Sequence, residues 1–307
     1  MAPILTITLN PTIDVFGEAL EVQPTHKVRM TDARHEPGGG GINVARVISV
    51  LGGNVEALFL SGGEMGVYLG RLLDDEGIRH HAIPIDGQTR IAFMVHDQKT
   101  GLEYRFLPEG PEVLDRDIAA CVDAIGRQAE GFVVVSGSLP RGAPPDSYAR
   151  MTKAANARGL KLVLDSSGAG LKAAVEAGGI HLLKPSRSEL EHLTGRRLTD
   201  AELEPATREL ASTGKARFIA VTLGAEGALL VSRDITLRLP ALDVPVRSAV
   251  GAGDSFLGAM VWAISTDWPL ENAFRLGMAA GAAATMNSGT VLCRRDDVLA
   301  LYERSGG

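Results

Sequence analysis

The pattern of apolar and polar positions divides the chain into two kinds of segment. From residue 115 onward, apolar runs of five or six residues alternate with stretches of helical length and period. Short apolar runs between helices are typical of a parallel sheet covered by helices on both faces. The predicted helices span 115–129, 145–158, 170–178 and 199–213, and they precede the strand sequences FVVVSG, LKLVLD, IHLLK and FIAVTLG.

The N-terminal third mixes this architecture with a different one. ILTITL (4–9) and VEALFL are predicted strands, and 42–51 and 66–76 are predicted helices. Alternating, turn-interrupted segments lie around them, and such alternation is typical of hairpins. These segments are DVFGEALEV, HKVRMTDARHE, RIAFMVHD (90–97) and LEYRFLP (102–108). We therefore predict an α/β fold, one domain over 1–307 with a mainly parallel central sheet. A small β lid, formed by about 13–35 and 88–108, covers the carboxyl edge of that sheet, where ligands bind in such folds.

Composition narrows the function classes. The hydrophobic share of 45% supplies a large core, and the net charge of −6 carries no basic footprint for nucleic acid. Cys121 and Cys293 stand far apart without metal-ligand spacing, as expected of thiols in a reducing compartment. There is neither a basic leader nor an apolar run of about 18 residues. We expect a cytoplasmic protein without a nucleic-acid or membrane partner.

Several common nucleotide and metal motifs do not occur. The chain has no G-x-x-x-x-G-K-[ST], no G-x-G-x-x-G followed by a distant acid, no H-E-x-x-H and no Cys/His cluster. These absences argue against a P-loop, a dinucleotide fold and a zinc site.

The stretch SAVGAGDSFLGAM (248–260) carries the clearest candidate chemistry. Gly251 and Gly253 leave backbone N–H groups free to converge, and the apolar helix that follows adds its positive dipole end. Asp254 at that point would accept a hydroxyl proton while the amides stabilise a transferring phosphoryl group. The alternative is that Asp254 only caps the helix.

Three further groups of residues are weaker candidates. In EPGGGGINVARVISVLGG (36–53), successive glycines allow close ligand approach, and Asn43 and Arg46 are expected in the first helical turn; a flexible loop is the alternative. Asp14 follows the first strand, and Lys27, Arg90 and Arg105 lie on the alternating segments, where each is individually a candidate surface charge. Lys184 ends a strand, Glu189 opens the next helix, and VTLGAEGALL (221–230) reads as strand, glycine turn and strand.

Taken together, the motifs resemble those of the ribokinase-like carbohydrate kinases of the phosphofructokinase B type. TLNPTID, GGGGINVAR, SGSLP, KPSRSEL, VTLGAEGAL, VGAGDSF and AAGAAATMNSGT occur in the order and spacing of that family over essentially the whole chain. EPGGGGINVAR and YRFLPEGP are most similar to its minor bacterial ATP-dependent 6-phosphofructokinases.

The resemblance implies phosphorylation of fructose 6-phosphate at O1 by ATP with Mg²⁺, in a homodimer joined through the lid. Asp254 would be the base, and Gly251, Ala252 and Gly253 the anion hole. The implied substrate residues are Asp14, Lys27, Gly39, Gly40, Asn43, Arg90, Arg105 and Ser138. The implied ATP residues are Lys184, Ser186, Thr222, Gly224, Gly227 and Ala282, with Glu189 on Mg²⁺ through water. The implied K⁺ loop comprises Ser248, Val250, Ala284, Asn287 and Gly289.

Two positions depart from the family pattern, and other activities stay open. Ser186 stands where the family usually has Asn, and Val291 where close relatives have Arg. A kinase for fructose 1-phosphate or tagatose 6-phosphate would use the same catalytic parts. A non-catalytic sugar-phosphate or nucleotide sensor is the alternative of another class. A nucleoside kinase would leave three lid cations without a phosphate.

Overall fold

The computed structural model describes residues 1–306, which form thirteen strands and ten α-helices. The strands are β1 (Ile4–Thr8), β2 (Thr12–Ala19), β3 (Thr31–Gly38), β4 (Val55–Gly62), β5 (His80–Ile85), β6 (Arg90–Asp97), β7 (Glu103–Phe106), β8 (Phe132–Ser136), β9 (Lys161–Asp165), β10 (Ile180–Leu183), β11 (Ala216–Thr222), β12 (Ala228–Ser232) and β13 (Thr236–Leu239). The helices are α1 (Gly40–Val50), α2 (Gly63–Asp75), α3 (Asp115–Gly126), α4 (Ser147–Ala157), α5 (Gly168–Ala177), α6 (Arg187–Thr194), α7 (Asp200–Ser212), α8 (Ala252–Ser265), α9 (Leu270–Thr285) and α10 (Arg295–Arg304).

The large sheet has nine strands in the order β13-β12-β11-β10-β9-β8-β1-β4-β5. The seven strands from β11 to β5 pair in parallel, and β12 and β13 add an antiparallel edge. Strand β1 pairs with β4 on one side and β8 on the other, so the strand order reverses there. A crevice at the carboxyl ends of strands beside such a reversal is the usual ligand site of open α/β sheets.

Helices cover both faces of this sheet, as predicted. One core contains buried side chains of α1, α2, α8, α9 and α10, and the other contains those of α3 to α7. Strand residues contribute alternately to the two cores: Ala57 and Phe59 of β4 belong to the first, Leu58 and Leu60 to the second. This alternation explains why the central strands carry apolar residues toward both faces.

The second sheet is the lid, with four strands in the order β3-β2-β6-β7. β2 and β6 pair in parallel, while β3 and β7 are antiparallel additions at the two edges. Thr12 of β2 lies opposite both Gly38 and Arg90, so the start of β2 is the point where the lid meets the body. The lid therefore lies over the carboxyl end of β1.

The structure confirms the predicted helices within a few residues at each end and adds elements that the pattern did not indicate. Strand β5 was not predicted, since HHAIPI contains two histidines and a proline. Pro84 is tolerated there because β5 is the edge strand of the sheet. Residues 26–30 of the predicted alternating segment lie outside the strands. Within residues 1–306, no helix has the length and apolar character that crossing a membrane requires.

Candidate active site

A cavity of about 290 Å³ lies between the lid and the carboxyl edge of the large sheet. Residues of the predicted lid and residues of the predicted α/β body both line this cavity. The lid and the turn before it supply Thr12, Asp14, Arg90, Ala92, Phe93, Met94, Arg105, Phe106 and Leu107; the body supplies Gly39, Asn43, Ala249, Val250, Gly251, Asp254 and Thr290. A larger groove of about 440 Å³ runs along Asp86–Arg90 and Pro108–Glu112, but it contains only Arg90 of the predicted site residues.

The backbone at the start of α8 adopts the conformation that the glycines of this stretch predicted. Gly251 has φ +72°, and a Cβ there would lie 2.5 Å from Leu292 Cδ2, so only glycine fits without strain. Asp254 lies in the first turn of α8, whose N-cap is Gly251, and within residues 1–306 its side chain has no hydrogen bond to the helix backbone. The capping alternative is therefore not what this carboxylate does. Its Oδ2 accepts a hydrogen bond from Asn43 Nδ2 at 2.8 Å instead.

The electrostatics of Asp254 suit a proton acceptor. Burial raises the pKa of Asp254 above its usual range, while the Asn43 hydrogen bond and the charge of Lys184 lower it and Asp14 raises it. A carboxylate whose pKa lies closer to neutral pH is the better general base. Asn43 fixes one carboxylate oxygen and leaves the other available.

The glycine run at 38–41 packs α1 tightly against the sheet. Gly39 has φ +109° and lines the cavity. A Cβ on Gly41 would lie 2.6 Å from the carbonyl oxygen of Ile7, and one on Gly40 would lie 3.0 Å from the Gly137 nitrogen. The run is thus an ordered contact between helix and strands, not the flexible loop of the alternative reading. This contact places Asn43 beside Asp254.

A buried ion pair lies behind Asp254. Lys184 at the end of β10 is 5% exposed, and its Nζ lies 3.1 Å from Asp165 Oδ1 at the end of β9. Burial lowers the pKa of Lys184, but the carboxylates of Asp165, Glu189 and Asp254 together more than offset this, so that the pKa is raised and the ammonium stays charged. A Cβ on Gly253 would lie 3.5 Å from Nζ, which puts this cation beside the positive N-terminus of α8. Two positive groups directed at one place form a site for an anion.

Asp14 is the second carboxylate of the cavity. Burial is the main cause that raises its pKa to about 6; Glu36 raises it further, and a Thr12 hydrogen bond and the charges of Arg46 and Arg105 oppose the shift. Gly38 leaves room for the Asp14 carboxyl, since a Cβ at that position would overlap it. Asp14 therefore binds a proton more tightly in the folded chain than in the unfolded one.

This shift predicts a pH-dependent cost in stability. Between pH 4 and 6 the native Asp14 holds a proton that the unfolded chain releases, so stability falls as pH rises through that window and the loss is complete above it. Asp14→Asn removes the ionisable group and should raise the free energy of unfolding at pH 8 by about 1 to 3 kcal/mol. The gain should disappear near pH 4. Denaturant unfolding at both pH values, with the exposed Asp123→Asn as control, measures it; an equal gain at both pH values would contradict the origin in Asp14 ionisation.

The lid cations are placed differently from one another. Arg90 and Arg105 line the cavity, whereas Lys27 is exposed on the loop between β2 and β3 and does not. Arg90 donates to the carbonyls of Asn10 at 2.9 Å, Pro108 at 3.0 Å and Pro11 at 3.4 Å, and thereby ties the lid to the end of β1. Its burial lowers its pKa, which the charge of Asp14 opposes. Ser138 is exposed just beyond β8 and does not line the cavity.

Most of the predicted nucleotide residues lie at the carboxyl ends of β10 and β11. Ser186 caps α6 and forms a capping box with Glu189, whose Oε2 accepts from Ser186 N at 2.7 Å and from Ser186 Oγ at 2.8 Å. Ser186 bridges to Thr222, and the glycines at 224 and 227 form the turn into β12. Ala282 lies half-buried on α9. The hydroxyl and the backbone amide of Ser186 thus both donate hydrogen bonds to the Glu189 carboxylate.

Glu189 fits a magnesium ion only as one ligand among waters and phosphates. Its charge raises the pKa of both Asp165 and Lys184, so its carboxylate acts on that ion pair from the start of α6. Within residues 1–306 no group of three or more His, Cys, Asp or Glu side chains is placed to hold a metal. Mg²⁺ is commonly bound by one or two carboxylates with substrate phosphates and water, and the donor set fits that mode.

The predicted cation loop leaves several carbonyl oxygens free. In the described chain, no N–H group donates to the carbonyls of Ser248, Val250, Asn287 or Gly289, while that of Ala284 accepts from Asn287 N. The side chain of Asn287 donates to the carbonyls of Ala283 and Leu292 and so holds the loop in shape. The neighbouring Thr290 hydroxyl is buried without a partner. Carbonyl oxygens without an N–H partner are the kind of ligand that a weakly hydrated monovalent cation takes.

Some features of the site were not predicted. Asp165 was not singled out, although its place at the end of β9, next to a lysine-ended strand, is a usable signal. Arg46 was expected in the first turn of α1, with its side chain directed to the same space as that of Asn43. It lies in the second turn and binds Glu76 at 2.7 Å and Glu36 at 3.5 Å, so that expectation was wrong.

Comparison with known proteins agrees with this geometry. The family model described as pfkB family carbohydrate kinase matches residues 7–297. The chain belongs to the pfkB family of carbohydrate kinases. It is 41% identical over 303 residues to the ATP-dependent 6-phosphofructokinase isozyme 2 of Mycobacterium tuberculosis, covering 98% of this chain and 89% of the relative. It is 38% identical over 304 residues to the isozyme 2 of Escherichia coli, covering 98% of both.

Solved structures of the pfkB family and its fold relatives extend the likeness. The phosphofructokinase-2 of E. coli in complex with potassium has a TM-score of 0.96 at 37% identity, over 100% of both chains. Its complex with fructose-6-phosphate has a TM-score of 0.94 at 36% identity, and its tetrameric inhibited form 0.95 at 36%, each over 100% of both chains. A ribokinase of Thermotoga maritima, with a TM-score of 0.78 at 19% identity over 99% and 100%, shares the fold. The pfkB chain described here is a ribokinase-like, ATP-dependent sugar-phosphate kinase of the 6-phosphofructokinase type.

Proposed function

We propose that this kinase transfers the γ-phosphoryl group of ATP to O1 of fructose 6-phosphate, with Asp254 as the general base. The observation that carries the proposal is the placement of Asp254. Its carboxylate lies in the first turn of α8, is hydrogen-bonded by Asn43, and lines the cavity that Asp14 and Arg105 also line. A proton acceptor, the glycine that starts the catalytic helix and side chains suited to a sugar phosphate thus line one cavity.

The chain's own groups divide the chemistry between them. Asp254 takes the proton of the O1 hydroxyl as that oxygen attacks phosphorus. The N–H groups at Gly251–Gly253 and the Lys184 ammonium stabilise the negative charge on the transferring group. Asp14 accepts hydrogen bonds from the sugar hydroxyls. Mg²⁺, when bound near Glu189, supplies charge neutralisation on the phosphates. Thr222, Gly224, Gly227 and Ala282 border the nucleotide.

Arg105 and Arg90 are the proposed readers of the substrate phosphate. Arg105 is exposed at the cavity with no ion-pair partner in the described chain, and Arg90 still has N–H groups beyond the three that bind carbonyls. Such cations favour a substrate that already carries a phosphate, because an unphosphorylated sugar leaves them unpaired. The likeness to E. coli phosphofructokinase-2 bound to fructose-6-phosphate supports the 6-phosphate.

Two further features belong to the proposal. The free carbonyls of the 248–250 and 287–289 loops support K⁺ binding, as does the E. coli structure with potassium.

A homodimer through the lid is supported by exposed Phe93, Leu102 and Phe106 on its strands and edges, apolar groups that a second copy would cover. Sedimentation of the full chain tests the dimer; a monomer at micromolar concentration would contradict it.

A coupled assay of ADP release tests the substrate. Fructose 6-phosphate, fructose 1-phosphate, tagatose 6-phosphate and free fructose are compared as acceptors with MgATP. The highest kcat/KM is expected for fructose 6-phosphate, with free fructose at least 100-fold lower because the lid arginines lose their phosphate. A preference for another phosphosugar would overturn the substrate. Inactivity with all four, with ATP still bound, would favour the sensor.

A further inference from the structure

One side chain of the lid reaches across to the loop that presents the catalytic helix. Glu103 opens β7, the outer strand of the lid, and its Oε2 accepts a hydrogen bond from the Ser248 hydroxyl at 3.2 Å. The two residues are 145 positions apart in the chain. In the same region, the Phe16 ring of the lid lies against Gly289, where a Cβ would come within 2.5 Å of the ring. The lid therefore rests directly on the loops beside α8.

Ser248 is fixed on the body side and connects to the anion loop. It is 4% exposed, and its N–H and that of Arg247 both donate to the carbonyl of Thr285 at the end of α9. Its hydroxyl oxygen accepts from the Val250 N–H at 3.3 Å while donating to Glu103. A single hydroxyl thus joins the lid carboxylate to the Ala249–Val250 peptide, one residue before Gly251.

The peptide held in this way sets the direction of the anion-binding groups. Gly251 adopts φ +72°, and α8 begins at the next residue. A rotation of the Val250 peptide would turn the N–H groups at the start of α8 and move Asp254 relative to Asn43. A displacement of about 1 Å at such a site costs about 10²-fold in rate.

A contribution to folding stability does not explain why residue 103 carries a carboxylate. Glu103 has no basic ion-pair partner among residues 1–306 and a hydroxyl as its hydrogen-bond partner. A half-exposed carboxylate of this kind contributes little to folding. Its distinctive property is that it spans the lid and the catalytic loop.

We propose that Glu103 is a positioning residue that, through Ser248, holds the Gly251 loop in its anion-binding conformation when the lid is down. The proposal rests on the proposed kinase function. The lid that closes on the sugar phosphate would in the same movement secure the loop that receives the phosphoryl group.

The test compares Glu103→Ala, Glu103→Gln and Ser248→Ala in the full chain. Glu103→Ala should lower kcat about 5- to 30-fold with the KM for ATP within twofold of the wild type. Glu103→Gln should restore kcat to within threefold, because its amide oxygen can accept the same hydrogen bond. Ser248→Ala should match Glu103→Ala, and the double variant should be no slower than either. Glu109→Ala, which removes an exposed glutamate after β7, is the matched control and should leave kcat unchanged.

Hydrogen exchange of residues 248–256 supplies a readout independent of activity. Exchange in this segment should be faster in Glu103→Ala than in the wild type and in Glu103→Gln. Additive effects of the two alanine variants, or unchanged exchange with unchanged kcat, would overturn the positioning role. A wild-type chain inactive on fructose 6-phosphate would instead overturn the proposed function, and the exchange comparison would still decide whether Glu103 orders the loop.

Discussion

Asp254→Asn is expected to lower kcat by about 10² to 10⁴, the contribution typical of a positioned general base. The amide has the size of the carboxylate but cannot take the O1 proton. Its oxygen can still accept the hydrogen bond that Asn43 donates at 2.8 Å. The fold should therefore persist, since the substitution removes the charge of a half-buried carboxylate whose pKa is already raised.

Binding separates this mechanism from a loss of structure. Calorimetric titration of Asp254→Asn with fructose 6-phosphate should give a Kd within a few-fold of the wild type, since Asp14 and the lid arginines are untouched. Asp123→Asn, an exposed aspartate of α3, is the control and should retain full turnover. Turnover of Asp254→Asn above a tenth of the wild-type rate would show that another group accepts the proton.

Asp165→Asn is expected to produce the largest loss of stability. It leaves the buried Lys184 ammonium without its counter-charge 3.1 Å away, and removing one partner of a buried ion pair costs about 3–5 kcal/mol. The free energy of unfolding from urea titration measures this loss. Turnover should also fall, because Lys184 would no longer be held beside Gly253.

A double variant separates the effect on stability from the effect on turnover. Asp165→Asn with Lys184→Met replaces both charges, so most of the lost stability should return while turnover stays low. Recovery of turnover together with stability would mean that the pair serves folding only. Failure to recover stability would mean that the single variant acts through something other than the unpaired charge.

The local pattern of apolar and polar residues predicted most of the helices and strands. It did not predict contacts between residues that are far apart in the sequence. The strands from β8 to β11 are apolar on both faces because both faces are covered, and this the pattern indicated. Strand β5 did not follow this pattern, because an edge strand tolerates Pro84 and the exposed His81. The glycine runs marked the starts of α1 and α8, since positive φ and close packing require glycine there.

The site was predictable where a motif holds its residues close in sequence. Gly251–Asp254 and Ser186–Glu189 are examples, since each lies within one loop and helix start. The Asn43–Asp254 hydrogen bond and the Glu103–Ser248 contact join positions 211 and 145 residues apart, and no periodicity specifies them. Arg46 shows the same limit, because one helical turn decides whether it meets the cavity or Glu76.

The measurement that tests the central claim most directly is ³¹P NMR of the purified chain incubated with MgATP and fructose 6-phosphate. We expect the ATP signals to be replaced by those of ADP, while a new phosphomonoester signal of fructose 1,6-bisphosphate grows at the same rate. ADP accompanied by inorganic phosphate alone, or ATP left unchanged at full substrate occupancy, would contradict phosphoryl transfer to O1.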